Sequence, residues 1–203
     1  LYPKKAQIEI TTKCNLNCHG CLRGNNGKNM RGETYIKSLE FLKEFGVKEI
    51  HLHNWGEPML FNPLYMIIRI AKLDGFRVGF TTNGTLLNYW KIFMLKRAGL
   101  DILDISYKRS YSKKLKKKIV KFYKFANRIG IDASLRCVVF NAGDYTEFVG
   151  LPYAVNQKVK MQRGMIKNKE WEREKPCRMM RNIIVILVDG TIVPCCVDTC
   201  GDL

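Results

Sequence analysis

The stretch "QIEITTKCNLNCHGC", residues 7–21, reads first as a strand and then as a loop built to hold something. Gln7–Thr12 has the β-branched and apolar composition of a strand. Cys14, Cys18 and Cys21 follow at C-x3-C-x2-C spacing. A closed structural zinc site takes four ligands, and disulfides take thiols in pairs. Three thiolates on one short loop describe a metal centre with one position left open. In parallel α/β architectures, ligand sites gather at the C-terminal ends of the strands, where this loop lies.

The same unit repeats along the chain. Strand-like runs at Lys48–His53, Arg77–Asn83, Ile102–Tyr107, Asp132–Phe140 and Gln157–Gln162 alternate with helical patterns. Four helices end in glycine, at Gly46, Gly75, Gly99 and Gly130, with Lys or Arg in the last turns. Glycine suits the left-handed position after a helix, and the cations suit its dipole. Asn62-Pro63 supplies a cap and then a proline for a helix start. A helix over Ser112–Ile129 carries Leu115, Ile119, Phe122, Ala126 and Ile129 on one face. Lys113, Lys114, Lys117, Lys118, Lys121 and Lys124 take most remaining positions.

Five such units and a sixth fit within residues 1–165, whereas a full eight-unit barrel takes about 250 residues. The expected class is α/β: a partial (β/α)6 TIM-like barrel, with a doubly wound sheet as the alternative. Residues 166–203 are expected to form a linker and a small, cysteine-rich segment with a β-hairpin. Asp189-Gly190, between alternating apolar residues, marks the hairpin turn.

No run of about 18 apolar residues is present, so no transmembrane helix is expected, and no signal peptide is visible. The sequence opens at Leu1 and closes on "CCVDTCGDL" in mid-motif, as a fragment of a longer chain would. Six of the eight cysteines fall in two tight groups, Cys14/Cys18/Cys21 and Cys195/Cys196/Cys200. Clustered cysteines without a secretion signal read as metal ligands in a reducing, cytoplasmic setting. The net charge of +17 favours anionic partners, nucleic acid among them. Ten basic residues and no acid lie between Lys108 and Arg128. A solvated helix face and a nucleic-acid face have equal weight there.

Every polar or glycine-rich oddity falls after a strand: the cysteine loop after the first, "HNWGEP" after the second, "TNG" at the end of the third and "SYKR" at the end of the fourth. Three thiolates can hold a [4Fe–4S] cluster by three irons and leave the fourth free, whereas four-cysteine clusters normally only carry electrons. On these residues the sequence resembles the radical SAM superfamily. "TTKCNLNCHGC" resembles the subgroup with a C-terminal SPASM or Twitch extension.

The resemblance implies a [4Fe–4S] cluster on Cys14, Cys18 and Cys21, with S-adenosylmethionine bound at the open iron. Reductive cleavage of that cofactor would give a 5′-deoxyadenosyl radical, which removes a hydrogen atom from the substrate. "WGEP", Trp55–Pro58, resembles the family's GGEP motif, and the resemblance assigns Gly56, Glu57 and Pro58 to the cofactor. "TTNG" resembles the third-strand motif and adds Thr82 and Asn83. Ser106 and Arg136 match positions that contact the ribose or carboxylate, although "SYKR" stands where the family often has SLDG. His19 and Gly20 stand where the family often has an aromatic residue.

Cys177, Gly190 and Cys195 resemble the C-x(9–15)-G-x4-C element of SPASM/Twitch domains, with a first gap of 12 residues. The resemblance implies an auxiliary iron–sulfur cluster, with Cys196 and Cys200 as further candidate ligands. A four-thiolate zinc site from Cys177, Cys195, Cys196 and Cys200 is the structural alternative. Adjacent strand residues point to opposite faces, which counts against Cys195 and Cys196 sharing a metal. Cys137 reads as a small buried hydrophobe, and His51 and His53 as satisfied core residues facing one side.

The expected function is radical hydrogen abstraction from a peptide or protein, with flavodoxin or ferredoxin as electron donor. The alternatives are the same chemistry on RNA or a small molecule, and a non-catalytic zinc and nucleic-acid-binding module.

Overall fold

The computed structural model describes residues 3–18, 21, 27–108, 110–138, 154–155 and 182–194. Five βα-type strands run in parallel: β1 (Lys5–Ile8), β2 (Glu49–His51), β3 (Arg77–Thr82), β4 (Ile102–Lys108) and β5 (Asp132–Val138). Between them lie α1 (Gly32–Glu44), α2 (Leu64–Leu73), α3 (Tyr89–Ala98) and α4 (Lys113–Arg128). A short strand β6 (Ala154–Val155) pairs with β5 in parallel. The strands stand in chain order from β6 back to β1. A doubly wound sheet reverses its order within the repeating βα units; from β1 to β6 this one does not, and it stays unclosed. It is a partial barrel.

The reason lies in strand alternation. Ala6, Ile8, Ile50, Leu52, Val78, Phe80, Leu103, Ile105, Ala133 and Leu135 are buried on one face. They form a single core with Leu39, Leu42, Ile68, Leu95, Ile119 and Phe122 of the helices. The intervening residues include Lys5, Gln7, Glu49, His51, Arg77, Asp104, Ser134 and Arg136, which are polar, with Gly79 and Ile102 among them. A parallel sheet covered on both faces reads as continuous apolar runs. These strands have one apolar face for the helices and one polar, concave face.

The helices end as their sequences require. The four glycines after α1–α4 have φ between 69° and 95°, the left-handed region. Ser112 and Asn88 cap α4 and α3 through their side chains, accepting from Leu115 N and Lys91 N. At α2 the expectation shifts by one residue. Pro63 itself is the N-cap, and its carbonyl takes Ile67 N at 3.0 Å. The preceding 3-10 turn Pro58–Leu60 has already bent the chain, so the helix starts at Leu64 without a side-chain cap.

The expected hairpin is present as β7 (Ile183–Ile186) and β8 (Ile192–Val193), turning through Gly190 at φ 96°. β7 lies parallel to β1 on the edge that the unclosed sheet leaves open, with Glu9 N donating to Ile186 O at 2.8 Å. Ile184 and Ile186 extend the barrel's apolar face, and Val185, Leu187 and Val193 make a second small cluster. The expected strand Gln157–Gln162 lies outside the described residues, as do Cys177, Cys195, Cys196 and Cys200.

Candidate active site

The cysteine loop leaves β1 and returns beside it. Its base is closed by a bridge between Thr11 and Asn29, by Thr12 N donating to Lys28 O at 2.9 Å, and by Met30 N donating to Ile10 O at 2.9 Å. The Thr11 hydroxyl, buried, lies 2.8 Å from Asn29 Oδ1 and accepts from Lys13 N at 3.1 Å. The loop therefore leaves a fixed base. Cys14, Cys18 and Cys21 are free and half-buried, and Cys21 N turns back onto Cys18 O at 3.1 Å.

The WGEP loop is pressed onto that base. A Cβ added to Gly56 would lie 1.9 Å from Thr11 O, so only glycine permits the approach. Glu57 N donates to Lys13 O at 2.7 Å. The Glu57 carboxylate, 2% exposed, points inward and accepts from Thr82 Oγ1 (2.7 Å), Asn83 N (2.7 Å) and Met59 N (3.1 Å). Burial pushes its pKa up, and these donors and the Lys108 charge only partly offset it. Glu57 and Thr82 thus turn their side chains on each other, and Pro58 is buried at the start of the 3-10 turn. Their polar groups brace the end of β2 against the end of β3.

Asn83 continues the brace to the cysteines. Its Nδ2 donates to Asn15 Oδ1 at 2.9 Å and lies 3.9 Å from Cys14 Sγ. Its backbone carbonyl accepts from Tyr111 Oη at 2.8 Å. Lys108, at the end of β4, has its ammonium 3.0 Å from Cys18 Sγ. The motifs of the first four strands therefore meet at one edge. Ser106, 7% exposed, is paired in register with Arg136 across β4 and β5. Arg136 makes an ion pair with buried Asp104, whose other oxygen accepts from Ser134 Oγ. Ser106 and Arg136 share the inward face of the sheet but sit deeper than the cysteines.

Below this edge, a cavity of about 260 Å³ occupies the floor of the concave face. Lys5, Glu49, His51, Arg77, Asp104, Asp132, Ser134 and Arg136 line it, together with Ile102. Glu49 binds Lys5 (2.7 Å), His51 (2.9 Å) and Arg77 (3.2 Å). Burial alone would raise its pKa, but the bonds from Lys5 and His51 hold it below the usual range. His53 accepts from Thr81 N at Nδ1, 3.1 Å away. Burial, then the neighbouring charges of His51 and Arg136, keep it neutral, so its proton sits on Nε2. Both histidines belong to the concave wall, and both are hydrogen-bonded.

Sequence reasoning passed over Glu9, Asp104 and Lys108. Their signal was a charged residue placed two positions from another polar one in a largely apolar strand. Glu9 is 4% exposed and accepts from Trp55 N at 3.2 Å, tying β1 to the WGEP loop. Burial pushes its pKa up, ahead of the backbone donors of Trp55 and Val188. A raised folded value makes its stabilising contribution complete below about pH 4.5 and lost as pH rises through the folded value. The stability difference between Glu9→Gln and the parent should therefore move in the variant's favour from acid pH toward neutrality. Urea melts across that range check it, and a pH-independent difference would overturn it.

The donor set tests whether an iron–sulfur cluster fits. Among the described residues, no three Cys, His, Asp or Glu side chains converge on one point as a mononuclear metal requires. A cubane cluster takes each thiolate on a different iron, so three separated cysteines suit it. The Lys108 ammonium beside Cys18 suits sulfur that carries negative charge. The three cysteines fit the cluster.

Comparison with known proteins agrees with the geometry. The profile of the radical SAM superfamily matches residues 8–138. The chain is 39% identical over 105 residues to a probable GTP 3′,8-cyclase of Methanococcus maripaludis, covering 49% of this chain and 35% of that protein. It is 38% identical over 85 residues to an S-adenosylmethionine-dependent nucleotide dehydratase of a Thermoplasmatales archaeon, covering 41% and 30%. These matches span about a third of each relative. The structure of BtrN in complex with AdoMet and 2-DOIA superposes with a TM-score of 0.72 at 19% identity, over 100% of this chain and 76% of that one. The fold and site define an open α/β barrel with a three-cysteine edge. The chain belongs to the radical SAM superfamily of enzymes, and membership implies a [4Fe–4S] cluster and S-adenosylmethionine. The relatives named here do not single out the SPASM/Twitch subgroup.

Proposed function

We propose that this chain is the catalytic barrel of a radical SAM enzyme whose substrate is a small polar molecule of the nucleotide class. The single observation that carries the reading is the concave face beneath the cysteine edge, where Lys5, Glu49, His51, Arg77, Asp104, Asp132, Ser134 and Arg136 outweigh the apolar Ile102. The names of the two relatives, a probable GTP 3′,8-cyclase and a nucleotide dehydratase, favour the same class over the peptide expected from the sequence.

When bound, the cluster and S-adenosylmethionine supply a carbon-centred radical that abstracts hydrogen. The chain's own residues prepare the place. Cys14, Cys18 and Cys21 hold the irons. Gly56 lets the WGEP backbone lie against Thr11, which leaves that loop's polar backbone at the edge. Glu57, Thr82 and Asn83 fix β2 and β3 relative to the cysteines. Ser106 and the Asp104–Arg136 pair offer a hydroxyl and an oriented guanidinium to a polar ligand. Cys177, Cys195, Cys196 and Cys200 stand as ligands of an auxiliary cluster in the same proposal.

The test uses protein reconstituted without oxygen, S-adenosylmethionine and dithionite. Formation of 5′-deoxyadenosine should be stimulated by a nucleoside triphosphate and not by a panel of short peptides. Stimulation by peptides alone would overturn the substrate class. Iron near four per chain corresponds to one cluster, and near eight to an auxiliary one as well.

A further inference from the structure

The outer faces of α3 and α4 carry a charge pattern that stability alone would not select. α3 has Lys91, Lys96 and Arg97, α4 has seven lysines and Arg128, and neither helix contains an acid. Lys113/Lys117, Lys114/Lys118, Lys117/Lys121 and Lys124/Arg128 are like charges one turn apart, which repel. The lysines crowd the first turns of α4, where the helix dipole disfavours cations. A face needed only for solubility would mix glutamate with lysine. This sequence accepts the repulsion, which points to an anionic partner.

Exposed rings stand beside the charges. Tyr89 packs edge-on against Phe122 and Phe125 of α4, with centroids 5.2 and 5.0 Å apart, and so joins the two helices. The Lys118 ammonium sits 5.4 Å over the Phe122 ring. Trp90, 67% exposed, and Phe93, 42% exposed, stand 6.2 Å apart on α3. Acidic protein surfaces need the charge but not free aromatic faces. A single-stranded polynucleotide uses both, phosphates on lysines and bases on rings. We propose that the α3–α4 face binds single-stranded nucleic acid, with Lys114, Lys117 and Lys121 meeting phosphates and Trp90 and Phe93 stacking on bases. Both helices start just after the edge that carries the site, through Asn88 and Tyr111, so a bound strand would lie beside it. The inference does not depend on the substrate class proposed above.

Fluorescence anisotropy of a labelled single strand of about 16 nucleotides, as RNA and as DNA, tests this on the full reconstituted chain. Affinity should fall linearly with salt on logarithmic axes. The triple variant Lys114→Gln/Lys117→Gln/Lys121→Gln should bind more weakly and lower that slope by about 2, from about 0.7 per phosphate. Trp90→Ala should weaken binding about tenfold with the slope unchanged. These exposed substitutions should leave iron content and 5′-deoxyadenosine formation as in the parent. An unchanged slope in the triple variant would overturn the proposal. So would polyglutamate displacing the strand at equal charge while Trp90→Ala has no effect, which would assign the face to an acidic protein.

Discussion

Replacing Cys14, Cys18 or Cys21 by Ala, one at a time, is expected to reduce 5′-deoxyadenosine formation to the level without enzyme and to lower the iron retained after anaerobic reconstitution well below about four per chain. The reason is ligand count. In a cluster held by three cysteines each thiolate would hold a different iron, so losing one would leave an iron without its protein ligand. Lys108 at Cys18 and Asn83 at Cys14 each turn an N–H donor toward the sulfur. Neither can replace a lost thiolate. The fold itself should survive, because the loop base is held by Thr11, Thr12, Lys28 and Asn29 and the core contains none of the three cysteines. Circular dichroism and melting should match the parent's apo protein. Retained cofactor cleavage in any one variant would remove that cysteine from the ligand set.

Much of this was legible in the sequence, for local reasons. A glycine after a helix and a strand of alternating character are set by a few neighbouring residues. The order of motifs along the chain placed the cysteine loop, WGEP and TTNG on one edge, and parallel strands in chain order then brought them together. What the sequence hid was pairing at a distance. β7 looks like one arm of an isolated hairpin, and nothing within Ile183–Ile186 says that its partner is Lys5–Ile8. The unpaired edge of an open barrel decides that, and an open edge is a property of the whole sheet. Glu57 was hidden differently. Its motif implied a contact with a cofactor, whereas its burial and its three donors from Met59, Thr82 and Asn83 can be seen only once β2 and β3 are side by side. The alternation of polar with apolar residues along β1, β2 and β5 was visible in the sequence. Its meaning, a polar concave wall, required knowing that helices cover only the other face.

Among the described glycines, Gly56→Ala should be the most damaging alanine substitution. The added Cβ would lie 1.9 Å from Thr11 O and 2.7 Å from Thr11 C, far inside van der Waals contact and against backbone rather than a flexible side chain. Thr11 cannot retreat easily, because it is bridged to Asn29 and its hydroxyl is engaged on the same segment. The WGEP loop must move instead. That breaks the 2.7 Å bond from Glu57 N to Lys13 O and shifts a buried carboxylate away from the three donors that offset its desolvation. Overpacking alone costs about 1–3 kcal/mol, and the disturbed carboxylate adds to it, so a loss of about 3 kcal/mol or more is expected. In a chain of this size that lowers the melting temperature by about 10 °C. Gly32→Ala is the control. It sits at the start of α1 with nothing within 4 Å of the new Cβ, and the helix should gain up to about 1 kcal/mol. Because the strain falls where the cysteine loop meets the second strand, Gly56→Ala should also lose iron on reconstitution, whereas Gly32→Ala should not. A Gly56→Ala protein that melts with the parent and keeps its iron would mean that the two loops do not touch as described, and the shared edge on which the site depends would have to be redrawn.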